Sequence, residues 1–221
     1  MLKILSAENT ILNTFIAELR DVKIQTDSMR FRRNLERAGE VMAYEISKML
    51  SYESARVETP LGEAETMLPA DRVVIASILR AGIPFHQGFL NYFDRAESAF
   101  ISAYRKYSKD GTFNIKVEYV SSVDLAGKTL ILIDPMLATG ASAVLTYKAL
   151  VEKGGQPAHT HLATILASEE GVDYARRNLP KQKATIWCGA VDEELTVKSY
   201  IVPGLGDVGD LAYGEKLNPV K

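Results

Sequence analysis

The stretch Leu130-Ile131-Leu132-Ile133-Asp134-Pro135-Met136-Leu137-Ala138-Thr139-Gly140-Ala141-Ser142 places four apolar residues before an acid and follows them with a loop of small residues. An unbroken apolar run of this length, bounded by turn signals, is expected of a strand covered on both faces, as in a parallel sheet between helical layers. A helix is expected from Ser142 to Lys153, where Gly154 and Gly155 stop it. In open α/β sheets ligands sit at the carboxyl ends of strands. A loop of Ala138, Thr139, Gly140, Ala141 and Ser142 turns successive N–H groups towards one anion, and the next helix adds its positive end. Thr139 and Ser142 bring hydroxyl donors, and a carboxylate just upstream, Asp134, suits the paired O–H donors of a vicinal diol. The pattern points to a ribose 5-phosphate. The same spacing also suits an ordinary strand, turn and helix in which Asp134 only ends the strand.

Working outward, apolar runs recur at Arg72 to Leu79, Ser98 to Tyr104, Lys128 to Ile133, His161 to Ala167 and Ala184 to Val191. Helical stretches from Pro84 to Tyr92 and from Ser168 to Asn178, ahead of Pro180, separate them. Alternation of this kind predicts an α/β fold, an open, mostly parallel sheet flanked by helices. Residues 1–50 read as two helices, one with Ile11, Leu12, Phe15, Ile16 and Leu19 on a face. The other carries Phe31, Leu35, Ala38, Met42, Ile46 and Met49. Such stripes suit packing or contact between copies of the chain, so a homodimer or higher homo-oligomer is expected. Two segments depart from the rhythm. Within 104–124, Lys109-Asp110-Gly111-Thr112 is a turn signal, and Ile115, Val117 and Tyr119 alternate with Lys116 and Glu118, which predicts a β-hairpin able to act as a flap. Within 192–221, Pro203, Gly204, Gly206, Gly209 and Gly214 crowd together, as where backbone lies close to a small ligand. With no repeat, low-complexity tract or linker, residues 1–221 are expected to form one domain.

Composition narrows the partners. The chain has 221 residues, 47% hydrophobic and 24% charged, and 26 lysines and arginines stand against 28 acids. A formal charge of −2 supplies no field for a polyanion, so no nucleic-acid partner is expected. The single cysteine, Cys188, forms no internal disulfide and reads as a small apolar core residue. No signal peptide or run of about 18 apolar residues occurs, which predicts a reducing, cytoplasmic setting without membrane contact.

The strand, the acid and the Thr-Gly loop together resemble the type I phosphoribosyltransferases. The form DPMLATG, Asp134 to Gly140, with Pro135 where many relatives carry a second acid, is specifically similar to the uracil phosphoribosyltransferase family. Three further motifs match in order. Ile78 to Gly82 (ILRAG) resembles the pyrophosphate loop, Tyr104-Arg105 the start of the flexible hairpin, and Tyr200 to Asp210 (YIVPGLGDVGD) the uracil-binding segment. Weaker similarity around Arg30-Phe31-Arg32 extends the match over nearly the whole chain.

The resemblance implies the fold above, with uracil and phosphoribosyl pyrophosphate (PRPP) as substrates and UMP and pyrophosphate as products. It implies PRPP contacts from Arg80, Ala81, Gly82, Arg105, Asp134, Pro135, Met136, Leu137, Ala138, Thr139, Gly140, Ala141, Ser142 and Asp207. Uracil would lie against Tyr200, Ile201, Gly206, Asp207 and Val208, and Asp134, Arg105 and Asp207 would be the catalytic set. Magnesium (Mg2+) is implied as cofactor, held through PRPP and water with no direct protein ligand. The chain departs from the family at Ala141, in place of a glycine, at Pro84-Phe85-His86, where smaller residues are common, and at Glu215, in place of threonine. None removes a group the chemistry needs. No general base for uracil N1 stands out: His159 and His161 bracket a strand start, and the family does not call for His86. Two other readings share the PRPP site, a phosphoribosyltransferase for another base and a PRPP-binding regulator of pyrimidine-operon RNA. No basic stripe with interleaved aromatics supports the regulator.

Overall fold

The structure is a computed structural model that describes the backbone of residues 1–107 and 113–216, and side chains there except for 103–117. Strand β1 (Leu2–Ile4) leads through a short 3-10 turn to helices α1 (Leu12–Arg20) and α2 (Ser28–Ser47). Strands β2 (Tyr52–Thr59) and β3 (Gly62–Pro69) follow, then β4 (Val73–Leu79), α3 (Gly82–Leu90), β5 (Glu97–Tyr107) and β6 (Phe113–Ser121). The chain continues with β7 (Thr129–Ile133), β8 (Met136–Leu137), α4 (Ala141–Gly154), β9 (His159–Ser168), α5 (Glu169–Asn178) and β10 (Ala184–Asp192). It ends in β11 (Glu194–Leu195), β12 (Ile201–Val202) and α6 (Val208–Tyr213).

The main sheet runs β1-β10-β9-β7-β4-β5-β6, with β8 also on β9. Every pairing in it is parallel except β5 with β6. Side chains alternate between its faces, as the two-residue period of a strand requires. Ile75, Ile131, Ile133, Ala163 and Ile165 share one core with α1, α2, α3 and α6. Val74, Ala76, Leu130, Leu132 and Leu162 share the other with α4 and α5. Both faces are therefore covered by helix, which is why these strands read as apolar runs.

From β4 the chain moves to β5 on one side and returns to β7 on the other. The crevice between β4 and β7 is thus a topological switch point, where open α/β sheets bind ligands. Five strands and three helices lie where the sequence places them, with bounds shifted by one to three residues. The stripes hold for the most part, but Ile11 and Met49 are exposed at 62% and 40%. Residues 1–50, read as two helices, open instead with strand β1, and the β2–β3 hairpin and α6 have no counterpart in the sequence reading. The β2–β3 hairpin pairs along its whole length, Tyr52 with Pro69 to Thr59 with Gly62, and is exposed on both faces. Of the expected hairpin, β5 and β6 pair antiparallel, while its turn at Lys109 to Thr112 lies outside the described residues.

Candidate active site

At the switch point one helix follows each of the two strands, α3 after β4 and α4 after β7 and β8. A Cβ on Gly82, the first residue of α3, would lie 3.3 Å from Ser77 Cβ and 3.8 Å from the carbonyl oxygen of Ile133, the last residue of β7. Helices α2, α5 and α6 have side-chain caps from Asp27, Ser168 and Asp207. Helices α3 and α4 have none: Ala81 and Gly140 stand at their caps, and neither first turn carries an acid. Apart from Ala141 N–H, which reaches Thr139 Oγ1, the first-turn N–H groups have no side-chain cap, and a positive helix end follows each of β4 and β7.

Between them runs the predicted loop. Asp134 N–H donates to Ala163 O at 3.1 Å, and the Pro135 carbonyl accepts from Ile165 and Leu166, so the chain leaves β7 still fastened to β9. Asp134 Oδ1 also accepts from Met136 N–H at 3.4 Å. Gly140 turns in the left-handed region, at φ 74°, where a side chain would be strained. The floor is α5: a Cβ on Gly171 would lie 2.3 Å from Leu137 O and 2.4 Å from Ala138 O. Ser168, whose Oγ also caps α5 at Gly171 N–H, donates to Ala138 O at 2.5 Å. Thr139, Ala141 and Ser142 are partly exposed above this floor, and Thr139 Oγ1 lies 3.5 Å from Ala141 N. Ala141 opens α4 and keeps its N–H, so the departure from glycine costs the loop no donor.

Arg80 follows the cis peptide Leu79–Arg80, and its Nη2 donates to Asp210 Oδ1 at 2.9 Å and to Gly214 O at 3.2 Å. The ILRAG loop and the glycine-rich segment, 130 residues apart, are thereby brought together. Asp207 Oδ1 accepts from Asp210 N–H at 3.0 Å, so Asp207 caps α6 as well as standing in the site. Gly206 is exposed with φ 96°, Val208 is buried, and Ile201 is 4% exposed in the core with Leu205 and Val208. The Ile201 side chain is therefore closed off in the core. Tyr200 is exposed at 45%, its N–H donating to Thr196 Oγ1 at 3.1 Å. Arg105 pairs with Ile115 in the β5–β6 ladder, and its side chain lies outside the described residues.

Apart from Arg80 and Arg32, the segment is held by residues that sequence reading did not single out. Arg20 of α1 forks onto Asp192 with two bonds of 2.7 Å and donates to Gly204 O at 2.9 Å, while Gly204 N–H donates to Asp192 Oδ2 at 3.0 Å. Burial works against ionisation of Asp192, but the Arg20 fork and the Gly204 N–H outweigh it and hold the carboxyl below its ordinary value. Gln25 Nε2 donates to Leu205 O at 3.2 Å, and Arg32 to Ala212 O at 2.7 Å. A cue existed in Asp207 followed by Gly214, an N-cap and a helix stop seven residues apart.

The three histidines face other groups. His86 shares hydrogen bonds with Ser77 (2.7 Å) and Ser98 (3.1 Å) and stacks on Phe100, and burial lowers its pKa to about 4. His161 accepts from Trp187 Nε1 at 3.0 Å and is lowered to about 3, mainly by burial. His159 bonds Thr185, and burial also lowers its pKa. Cys188 is fully buried, which raises its thiol to about 12. Among the described residues no group of three or more His, Cys, Asp or Glu side chains is placed to hold a metal, and no helix is long and apolar enough to cross a membrane.

An open parallel sheet with an acid and an uncapped phosphate-type loop at its switch point, an antiparallel hairpin beside it and a glycine-rich segment above is the type I phosphoribosyltransferase fold. Within it, the chain belongs to the uracil phosphoribosyltransferase family, whose sequence model matches residues 6–215. It is 59% identical over 213 residues to a uracil phosphoribosyltransferase of Porphyromonas gingivalis, covering 96% of this chain and 98% of that one. It is 41% identical over 209 residues to a uracil phosphoribosyltransferase of Pyrococcus furiosus, covering 93% and 86%. A solved protein structure from Aquifex aeolicus superposes with a TM-score of 0.86 at 26% identity, over 99% of this chain and all of that one.

Proposed function

We propose that the chain transfers the 5-phosphoribosyl group of PRPP to N1 of uracil, giving UMP and pyrophosphate. The observation that carries this reading is the pair of helix starts without side-chain caps that follow β4 and β7 at the switch point, with Arg80 at the end of β4 and Asp134 at the end of β7. One end suits the 5-phosphate, received by N–H groups from Ala138 to Ser142 and the hydroxyls of Thr139 and Ser142. The other, with Arg80, Ala81 and Gly82, suits the pyrophosphate, to which Arg105 is added from the hairpin. Asp134 accepts from the ribose 2- and 3-hydroxyls. Both negative ends of PRPP then lie in fixed positive potential, and the reacting carbon is held between them.

The bond from C1 of ribose to the pyrophosphate oxygen breaks as N1 of uracil bonds to C1, and the N1 proton leaves late, to a pyrophosphate oxygen. Positive charge on the ribose ring is stabilised by Asp134 and Asp207, and negative charge on the leaving group by Arg80 and Arg105. Uracil is read by main chain: N–H groups near Gly206 to Val208 donate to its carbonyls, and a main-chain carbonyl accepts from N3–H. Tyr200 and Ile201 frame the base. Asp134 and Asp207 offer hard carboxylate oxygens, which would fit magnesium carried mainly on substrate oxygens. When bound, the ion neutralises pyrophosphate charge. We further propose that residues 1–221 act as one unit in the cytoplasm and that the chain forms a homo-oligomer.

Pyrophosphate release with uracil, PRPP and magnesium tests the reading. Activity with uracil that exceeds cytosine by about a hundredfold or more supports it, as two mismatched buried groups require. No release with uracil, or faster release with another base, refutes it.

A further inference from the structure

Arg80 links the two halves of the site. Its hydrogen bonds to α6 and the end of that helix, to Asp210 Oδ1 at 2.9 Å and Gly214 O at 3.2 Å, both use the single nitrogen Nη2. A guanidinium has five N–H donors in a rigid fork; Nε of Arg80 is buried without a partner, and Nη1 keeps its donors. The Asp210 backbone is itself fixed, because its N–H is the one that Asp207 Oδ1 caps. Gly209 fills the space between these groups: a Cβ there would lie 3.2 Å from Asp207 Oδ1 and 3.7 Å from Arg80 Nη2. Asp207, Asp210 and Arg80 thus form one cluster at the join of the two proposed subsites. Asp210 is the member to which no part in binding or chemistry has been given.

We propose that Asp210 is a positioning residue for the pyrophosphate half of PRPP, acting through Arg80. This rests on the function proposed above. The carboxylate holds Arg80 by one corner of its fork and leaves Nη1 for the phosphates, so less side-chain freedom is lost when PRPP binds. As an ion pair alone it contributes little to stability, since both side chains are about one third exposed, at 35% and 32%. Positioning and fold can therefore be told apart.

The test is calorimetric binding of PRPP with magnesium and without uracil, to the wild type, Asp210→Asn, Asp210→Glu, Arg80→Gln and the Asp210→Asn/Arg80→Gln double variant. Asp210→Asn should weaken PRPP binding about tenfold, the ratio expected for one charge-assisted hydrogen bond, with an unchanged melting temperature. Asp210→Glu should recover part of the loss, and Asp210→Asn should add nothing in the Arg80→Gln background. Wild-type affinity in Asp210→Asn would overturn the proposal. So would tighter binding, which would make Asp210 a competitor of pyrophosphate for Arg80, or an equal further loss in the double variant. A wild type that binds PRPP but gives no product with uracil counts against the proposed reaction only, because the Asp210 comparison is read from PRPP binding. A wild type that does not bind PRPP overturns both.

Discussion

The loop from Asp134 to Ser142 is fixed by what is next to it, whereas the segment from Tyr200 to Asp210 is fixed by what is far away. The loop hangs between β7 and α4 and rests on the backbone of α5, with glycines at 140 and 171 allowing the close approach. The segment is tied down by polar side chains: Arg20 on Asp192 and Gly204, Gln25 on Leu205, and Arg80 on Asp210. These partners lie 130 to 184 residues apart in sequence. A loop held by backbone contact fails through steric intrusion, and a segment held by tethers fails when a buried polar group loses its partner. The two regions should therefore respond to different substitutions and affect different substrates.

The largest effect should come from Gly171→Val. Its Cβ would meet two backbone oxygens of the loop at 2.3 and 2.4 Å, and neither can swing aside as a flexible side chain would. The loop must lift from α5 at a cost of about 3 to 4 kcal/mol, so PRPP binding should fall by several hundredfold or more. PRPP affinity within about tenfold of wild type, by the scale on which 1.4 kcal/mol is tenfold, would show that α5 does not set the loop.

Next in size is Asp192→Ala, which removes both acceptors of the Arg20 fork and the acceptor of Gly204 N–H. Breaking a mostly buried pair from one side costs about 3 kcal/mol. The loss should fall on the base: the uracil KM should rise about thirtyfold or more while PRPP affinity changes little. Equal losses for both substrates would erase the distinction between the regions.

The same contrast explains what the sequence could reveal. A buried parallel strand followed by a small-residue loop and a helix is a local pattern, and Leu130 to Ser142 displays all of it within thirteen residues. Strands β4, β5, β7, β9 and β10 were legible for the same reason. The β2–β3 hairpin was not, because its residues face solvent on both sides and show no alternation of apolar and polar positions. Strand β1 has three residues and α6 has six, too few for a period to declare itself. The Arg20–Asp192 tether has no local signal at all, since each residue alone reads as an ordinary surface charge. Asp207 could be placed in the site by resemblance, but its role as cap of α6 needed the backbone.

Acid should loosen the sheet core around the buried histidines first and the base segment afterwards. His86, beneath the Arg80 loop, stays neutral in the fold because burial lowers its pKa to about 4, while the unfolded chain takes up a proton below about 6.5. Its contribution is thus complete above about pH 6.5 and is lost as pH falls towards 4, by about 2 to 3 kcal/mol. His161, lowered to about 3, acts in the same direction. Asp192 acts later: its lowered carboxyl contributes above about pH 3.9 and ceases to do so as pH falls through its native value. Denaturation midpoints should drop between pH 6.5 and 4, and less steeply in His86→Gln. A flat profile over that range would contradict the buried, neutral histidines.

The smallest expected effect is at Ile201, and it tests how the base is read. Ile201 pairs with Leu195 across β11 and β12, and its side chain is packed in the core with Leu205 and Val208. A core side chain shapes the segment without offering a polar group, so any donor or acceptor for uracil at this residue is main chain. Ile201→Val deletes one buried methylene at about 0.5 to 1.5 kcal/mol. If that strain reaches the segment, the uracil KM should rise by about two- to tenfold. The identity of the base should not be affected, because the N–H and C=O groups that separate uracil from cytosine are the same in both proteins. Cytosine offers an amino donor in place of O4 and a bare acceptor in place of N3–H, so it leaves two main-chain groups unpaired whichever residue stands at 201. Competition between the two bases should therefore give the same ratio for Ile201→Val as for the wild type. A ratio that moves towards cytosine would mean that the Ile201 side chain does part of the reading, and that the base segment, for all its distant tethers, selects its ligand by shape.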